Sequence, residues 1–146
     1  MRFQTVYSVF AVALSAFVGV AAAHADPRGL WLAPDGAKVR VASCGKAICG
    51  KIAEAKSPTN TDTGLPWTDK NNLDSALRDR PLVGVEVFIS MMPDGPGKWS
   101  GELYDTERGQ NFTGHLYDID PRTLRVEGCV GSPPIQCGHR DLTRLE

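Results

Sequence analysis

Eight short runs in which apolar and polar residues alternate, separated by clusters of Gly, Pro, Asn and Asp, recur along this 146-residue chain from Gly29 to its end. Alternation of that period is the signature of strands that bury one face. The runs are "GLWLA", "KVRVAS", "ICGKIAEA", "LVGVEVFISMM", "KWSGELYD", "QNFTGHLYDI", "TLRVEGCV" and "HRDLTRLE". Turn sequences such as "CGKAIC", "PDGPG", "TERG" and "DPR" join most of them, so sequence neighbours should pair antiparallel. The expected fold is all-β, an eight-stranded antiparallel up-and-down β-barrel, because closure removes the edges that a single open sheet would expose. A two-sheet sandwich is the alternative.

One insertion, at about 56–80, interrupts the pattern. "KSPTNTDTGLPWTDKNN" has loop composition, and "LDSALRDR" is expected to form about two helical turns before Pro81 stops them. Arg78 and Arg80 should tie this excursion to the barrel through ion pairs and carbonyl bonds, with anion binding at a helix end as the alternative. Beyond Pro81, Val83, Val85, Val87, Ile89 and Met91 occupy one face of the predicted fourth strand, which should be buried. The full inward set reads Val39, Val41, Ile48, Ile52, Val83, Val85, Val87, Ile89, Leu103, Phe112, Leu116, Leu124 and Val126, apolar throughout. A barrel of this size either holds one small ligand or is filled by side chains. If it holds one, Val41, Ile52, Val85, Val87, Ile89, Leu103, Phe112, Leu116 and Val126 would line the site and the ligand would be apolar. The short strands favour a filled core over a deep cup.

The N-terminus reads as a secretory signal peptide. Met1-Arg2 supplies a positive start, "VYSVFAVALSAFVGVAAA" an apolar core, and Ala23-His24-Ala25 a cleavage pattern that would make Asp26 the first mature residue. An uncleaved membrane anchor is the alternative, although the run is barely long enough to span a bilayer. The expected organisation is therefore a cleaved segment 1–25 followed by one barrel domain, 26–146, in the periplasm. Sixteen Lys and Arg, one of them Arg2, face seventeen Asp and Glu with no basic block, which argues against nucleic-acid partners. No membrane span is expected after cleavage, and the protein should be a monomer.

All four cysteines, Cys44, Cys49, Cys129 and Cys137, lie in the exported part, where disulfides persist. Three connectivities exist on paper; Cys44 with Cys49 and Cys129 with Cys137 is the simplest, since each pair flanks a turn-like segment. A zinc site with His139 is the competing reading, but neither gap has the spacing of structural zinc ligands. No metal and no cofactor is expected; the acidic stretch around Asn60, Asp62 and Asp69 to Asp74 lacks the spacing of a calcium loop.

In a closed barrel the first strand meets the last, which gives "GLW" a use. Trp31 can plug one end beneath Arg144, whose guanidinium would stack on the indole while its donors reach backbone carbonyls, with Gly29 letting the chain bend in close. This resembles the Gly-x-Trp and basic-residue arrangement of lipocalins and related calycin barrels. Several stretches together, "CGKAICGKI", "DKNNLDSALRDRPLVGVEV", "WSGELYDTERGQNFTGHL", "LRVEGCVG" and "LTR", resemble the DUF2147 family of exported bacterial proteins over essentially the whole mature chain. The resemblance implies a calycin-like barrel in the periplasm and no particular activity. Asn72, Thr106 and Leu142 depart from it, the first two standing where prolines are usual and the third where a tryptophan is.

Candidate chemistry is sparse. His115 should face outward from a strand and His139 should sit at a loop end, while Tyr104 and Asp105 stand where the barrel mouth would be. Asp118 and Asp120 bracket a turn. No catalytic residue is assigned, since nothing in the spacing forces a base to meet a nucleophile. Three functions remain: a carrier or sensor of a small apolar molecule, an envelope-protein interaction module with a patch around Leu65, Trp67 and Trp99, and, third, an enzyme.

Overall fold

The computed structural model describes residues 24–131, 133 and 135–146. Apart from His24 and Ala25, the expected signal peptide lies outside the described residues. The strands are β1 (Gly29–Leu32), β2 (Lys38–Cys44), β3 (Ala47–Glu54), β4 (Glu86–Pro93), β5 (Lys98–Asp105), β6 (Gln110–Asp120), β7 (Thr123–Val130) and β8 (Gln136–Arg144). Each pairs antiparallel with the next, and β1 pairs with β8, so the sheet closes into an up-and-down barrel rather than a sandwich. Among the described residues no helix is long and apolar enough to cross a membrane.

Two local expectations fail for identifiable reasons. The segment after Pro81 does not enter the sheet until Glu86: Gly84 turns the chain with φ of 93°, and Val83 is left 54% exposed. "LDSALRDR" makes one 3-10 turn, Ser75–Leu77, instead of two helical turns. Asp74 caps that turn by accepting from the Ala76 N–H at 3.0 Å. Arg78 and Arg80 then reach back to the Asn72 carbonyl and the Asp69 carboxylate, which fixes the chain in a non-helical path.

Within β4 the alternation changes phase. Phe88 faces Gly50 and Leu103, whereas Met91, three residues on, faces Ile48. The extra residue is absorbed at Ser90, which has φ of 48°, so both Phe88 and Met91 enter the main core. Val85, Val87 and Ile89 belong to the other phase. Val85 packs with Ile52 and Tyr104 in a second cluster, against which Leu82, Val87 and Ile89 rest, where the excursion rejoins the barrel.

The main core is concentrated at one end: Trp31, Val41, Met91, Leu116 and Leu124 are almost wholly buried there. Trp31 and Arg144 are register partners across the closing seam. The Arg144 guanidinium lies 4.2 Å from the indole centroid and donates to the carbonyls of Asp26, Arg28, Pro121 and Glu146. Trp31 Nε1 donates to the Pro27 carbonyl at 2.8 Å. Gly29 has φ of 138°, and a Cβ there would stand 2.5 Å from the Glu146 carbonyl oxygen and 2.9 Å from Arg144, so no other residue fits this approach.

The cysteines pair as Cys44–Cys49 and Cys129–Cys137. The first spans the β2–β3 turn, and the second links directly opposed residues of β7 and β8. Loops this short contribute about 2 kcal/mol each on the chain-entropy account, so the bridges staple hairpins. Glu127 lies beside Cys129 and Cys137, but sulfurs bonded to each other offer no thiolate to a metal.

Candidate functional site

Opposite the Trp31 plug, the turns after β1 and β5 and the adjoining ends of β7 and β8 surround a cavity of about 490 Å³. Its wall is apolar: Val39, Ile52, Val87, Phe88, Leu103, Phe112, Val126 and Leu142. The barrel is thus filled around Trp31, Val41, Met91, Leu116 and Leu124, none of which lines the cavity. It is open at the other end, where Val39, Phe88, Leu103 and Leu142 of the main core share the wall with small residues, Gly128 and Gly138 among them. Of the residues expected to line an internal site, Ile52, Val87, Leu103, Phe112 and Val126 do line this cavity. Val41 and Leu116 are fully buried in the main core, and Val85 and Ile89 pack at the second cluster.

The rim is charged. Asp35, Asp105, Glu107, Arg108, Gln136, His139 and Arg140 contribute to it. Of these, the sequence places Asp105 at the mouth and His139 only at a loop end, and it does not single out Arg108 or Arg140; the "YDTERG" and "CGHR" stretches carry the signal once β5 is known to end, and β8 to begin, at the same mouth. Asp105 caps its own turn, its Oδ1 accepting from the N–H groups of Glu107 and Arg108 at 2.8 and 3.2 Å.

A second cluster of polar groups holds the excursion. The Asp69 carboxylate is buried and accepts from the Tyr104 hydroxyl at 2.7 and 2.8 Å, Asn72 Nδ2 at 2.8 Å and Arg80 Nε at 2.9 Å. Arg80 also lies 5.6 Å over the Tyr104 ring. Asp69 is fully committed to protein donors, and Asn60 Oδ1 bonds the Asp62 N–H, so these side chains act inside their own loops. Burial, reinforced by the neighbouring Asp69 charge, pushes the Tyr104 hydroxyl up to about 12. Between the ordinary tyrosine value of 10 and about 12 the unfolded chain therefore loses a proton that the folded chain keeps. The stabilisation is complete below pH 10 and is lost as pH rises through that window. Denaturant titrations between pH 9 and 12 should show the native chain losing stability faster than Tyr104→Phe; parallel slopes would refute this.

On the outer face of β5 and β6, His115 Nδ1 and Ser100 Oγ are 2.8 Å apart, and Ser100 Oγ is 2.5 Å from Asp94 Oδ2. Lys98 foremost, with Ser100, holds the Asp94 carboxyl below its usual range. An ionised carboxylate only accepts, so the Ser100 proton is directed to Asp94 and away from His115, the reverse of what a histidine-activated nucleophile needs. The patch expected around Leu65, Trp67 and Trp99 is not assembled. Trp99 packs on the main core, Trp67 donates to Ser57 beneath Lys56, and Leu65 alone is strongly exposed, at 65%.

An eight-stranded up-and-down barrel with one plugged end and one open cavity is a lipocalin-like fold. The chain belongs to the family described as "Uncharacterized protein conserved in bacteria (DUF2147)", which matches residues 29–144. Among solved structures, protein HP1028 from the human pathogen Helicobacter pylori, described as belonging to the lipocalin family, is similar in fold, with a TM-score of 0.68 at 14% identity over 84% of each chain. No curated protein matches the chain.

Proposed function

We propose that this protein is exported to the periplasm and holds one small apolar molecule in the open half of its barrel, as a carrier or sensor. The observation that carries this reading is the apolar cavity of about 490 Å³, which lies within the size range of small-molecule sites. The lipocalin-like fold is compatible with it, since a barrel of this size is wide enough to hold one small ligand. Export is supported by the signal-like N-terminus and by two disulfides, which persist in oxidising compartments.

Native mass spectrometry of protein purified from the periplasm, followed by titration with an apolar fluorescent probe, tests the reading. A retained small molecule or probe binding in the micromolar range is expected. Gly128 offers the matching control: it lines the cavity, and a Cβ there would meet only Leu103 Cδ1, at an ordinary 3.7 Å. Gly128→Leu should fill part of the cavity, weaken probe binding about tenfold and leave the fold intact. A clean apo mass together with no probe binding by the native chain would overturn the proposal.

A further inference from the structure

Three acids and two arginines stand at the cavity mouth among the described residues, but they are not equally committed. Asp35 accepts from the Ala37 N–H at 3.1 Å, and Asp105 is occupied by its own turn, as described above. Glu107 remains, 3.5 Å from Arg140. Arg108 approaches Asp105 only to 3.9 Å, too long for a hydrogen bond, while its guanidinium lies 5.6 Å from the ring of Phe112. Phe112 belongs to the apolar wall. Arg108 therefore sits where wall becomes rim, with donors available to a group emerging from the barrel.

We propose that the ligand is an amphiphile, an apolar chain in the cavity ending in an anionic head that Arg108 and Arg140 hold at the mouth. This rests on the cavity reading above and names the chemistry of its ligand. A guanidinium offers a planar fork of donors, and a carboxylate or phosphate head can take two of them at once, which an alcohol cannot. Glu107 stands as a competing carboxylate: to admit an anionic head at Arg140, its long contact to that arginine must open. Because Glu107 is 68% exposed, its side chain can swing into water at little cost.

The full-length mature chain, loaded with an apolar fluorescent probe, is titrated with sodium dodecanoate, monododecyl phosphate and 1-dodecanol. Both anions should displace the probe at concentrations about tenfold lower than the alcohol requires, with the advantage shrinking as salt is raised. The double variant Arg108→Gln/Arg140→Gln should lose that advantage while binding dodecanol as the native chain does, which also shows that it folds. Glu107→Gln should bind the anions more tightly, a gain that unfolding cannot mimic. Dodecanol binding as well as the anions, or an anion preference that survives in the double variant, would overturn the headgroup assignment and leave the cavity reading standing. If the probe does not bind, or no alkyl compound displaces it, both readings fall.

Discussion

Trp31→Ala is expected to destabilise the barrel by about 3–5 kcal/mol, the range for truncating a large buried aromatic, and equilibrium denaturation followed by far-ultraviolet circular dichroism would measure it. Trp31 is 1% exposed and carries three connections at once. It packs into the main core, donates Nε1 to the Pro27 carbonyl and supports the Arg144 guanidinium. The closing seam it belongs to is short: Trp31 faces Arg144 and Leu32 faces Thr143, and the Leu145 N–H adds a bond to the Leu30 carbonyl. Loss of the indole would leave a cavity beneath Arg144 and weaken the contact that holds β1 to β8. Trp31→Phe keeps most of the apolar area and loses the Nε1 bond, so it should cost roughly 1–2 kcal/mol. Because Trp31 does not line the open cavity, the folded fraction of either variant should bind an apolar probe with unchanged affinity. A loss below about 1 kcal/mol for Trp31→Ala would show that the seam closes without its plug.

The number and order of the strands, the closure by Trp31 and Arg144 and the two disulfides are legible in the sequence because each depends on local signals. Alternation marks a strand, a short polar segment marks a turn, and cysteines flanking such a turn can pair with little rearrangement. What is not legible depends on register or on groups distant in the chain. The run from Val83 to Met91 looks like one buried face, but Gly84 delays the strand and Ser90 inserts a residue, so Phe88 and Met91 share the core in opposite phases. Alternation cannot announce a bulge that a non-glycine residue makes. The mouth is hidden for a different reason. Arg108 and Arg140 come from β5–β6 and β8, and only the closed topology brings them to one rim. Asp69 looked like one acid in a polar loop until Tyr104, thirty-five residues away, supplied its hydroxyl.

That buried carboxylate should make the two halves of one ion pair unequal. Arg80→Ala is expected to cost about 3 kcal/mol, because it strands a charge with no access to water, and Tyr104 and Asn72 offset only part of the loss. Asp69→Asn breaks the same pair but should cost only about 1–2 kcal/mol. The guanidinium it frees is already 37% exposed and can turn into solvent, while an asparagine oxygen still accepts from Tyr104. The double variant Asp69→Asn/Arg80→Ala should then be less damaged than the sum of the two, with a coupling of about 1–2 kcal/mol, since neither charge is left buried alone. The loss should also be local at first. The cluster joins the excursion to β5, and the Leu73 N–H bonds the carbonyl of Gly109, a turn glycine with φ of 69° whose missing Cβ lets the Asn71 and Asn72 backbone pack against it. Hydrogen exchange in Arg80→Ala should therefore quicken across residues 69–82 before it does in β6 and β7. If Arg80→Ala proves no more harmful than Asp69→Asn, the Asp69 carboxylate must be reaching water, and burial is not what makes this pair matter.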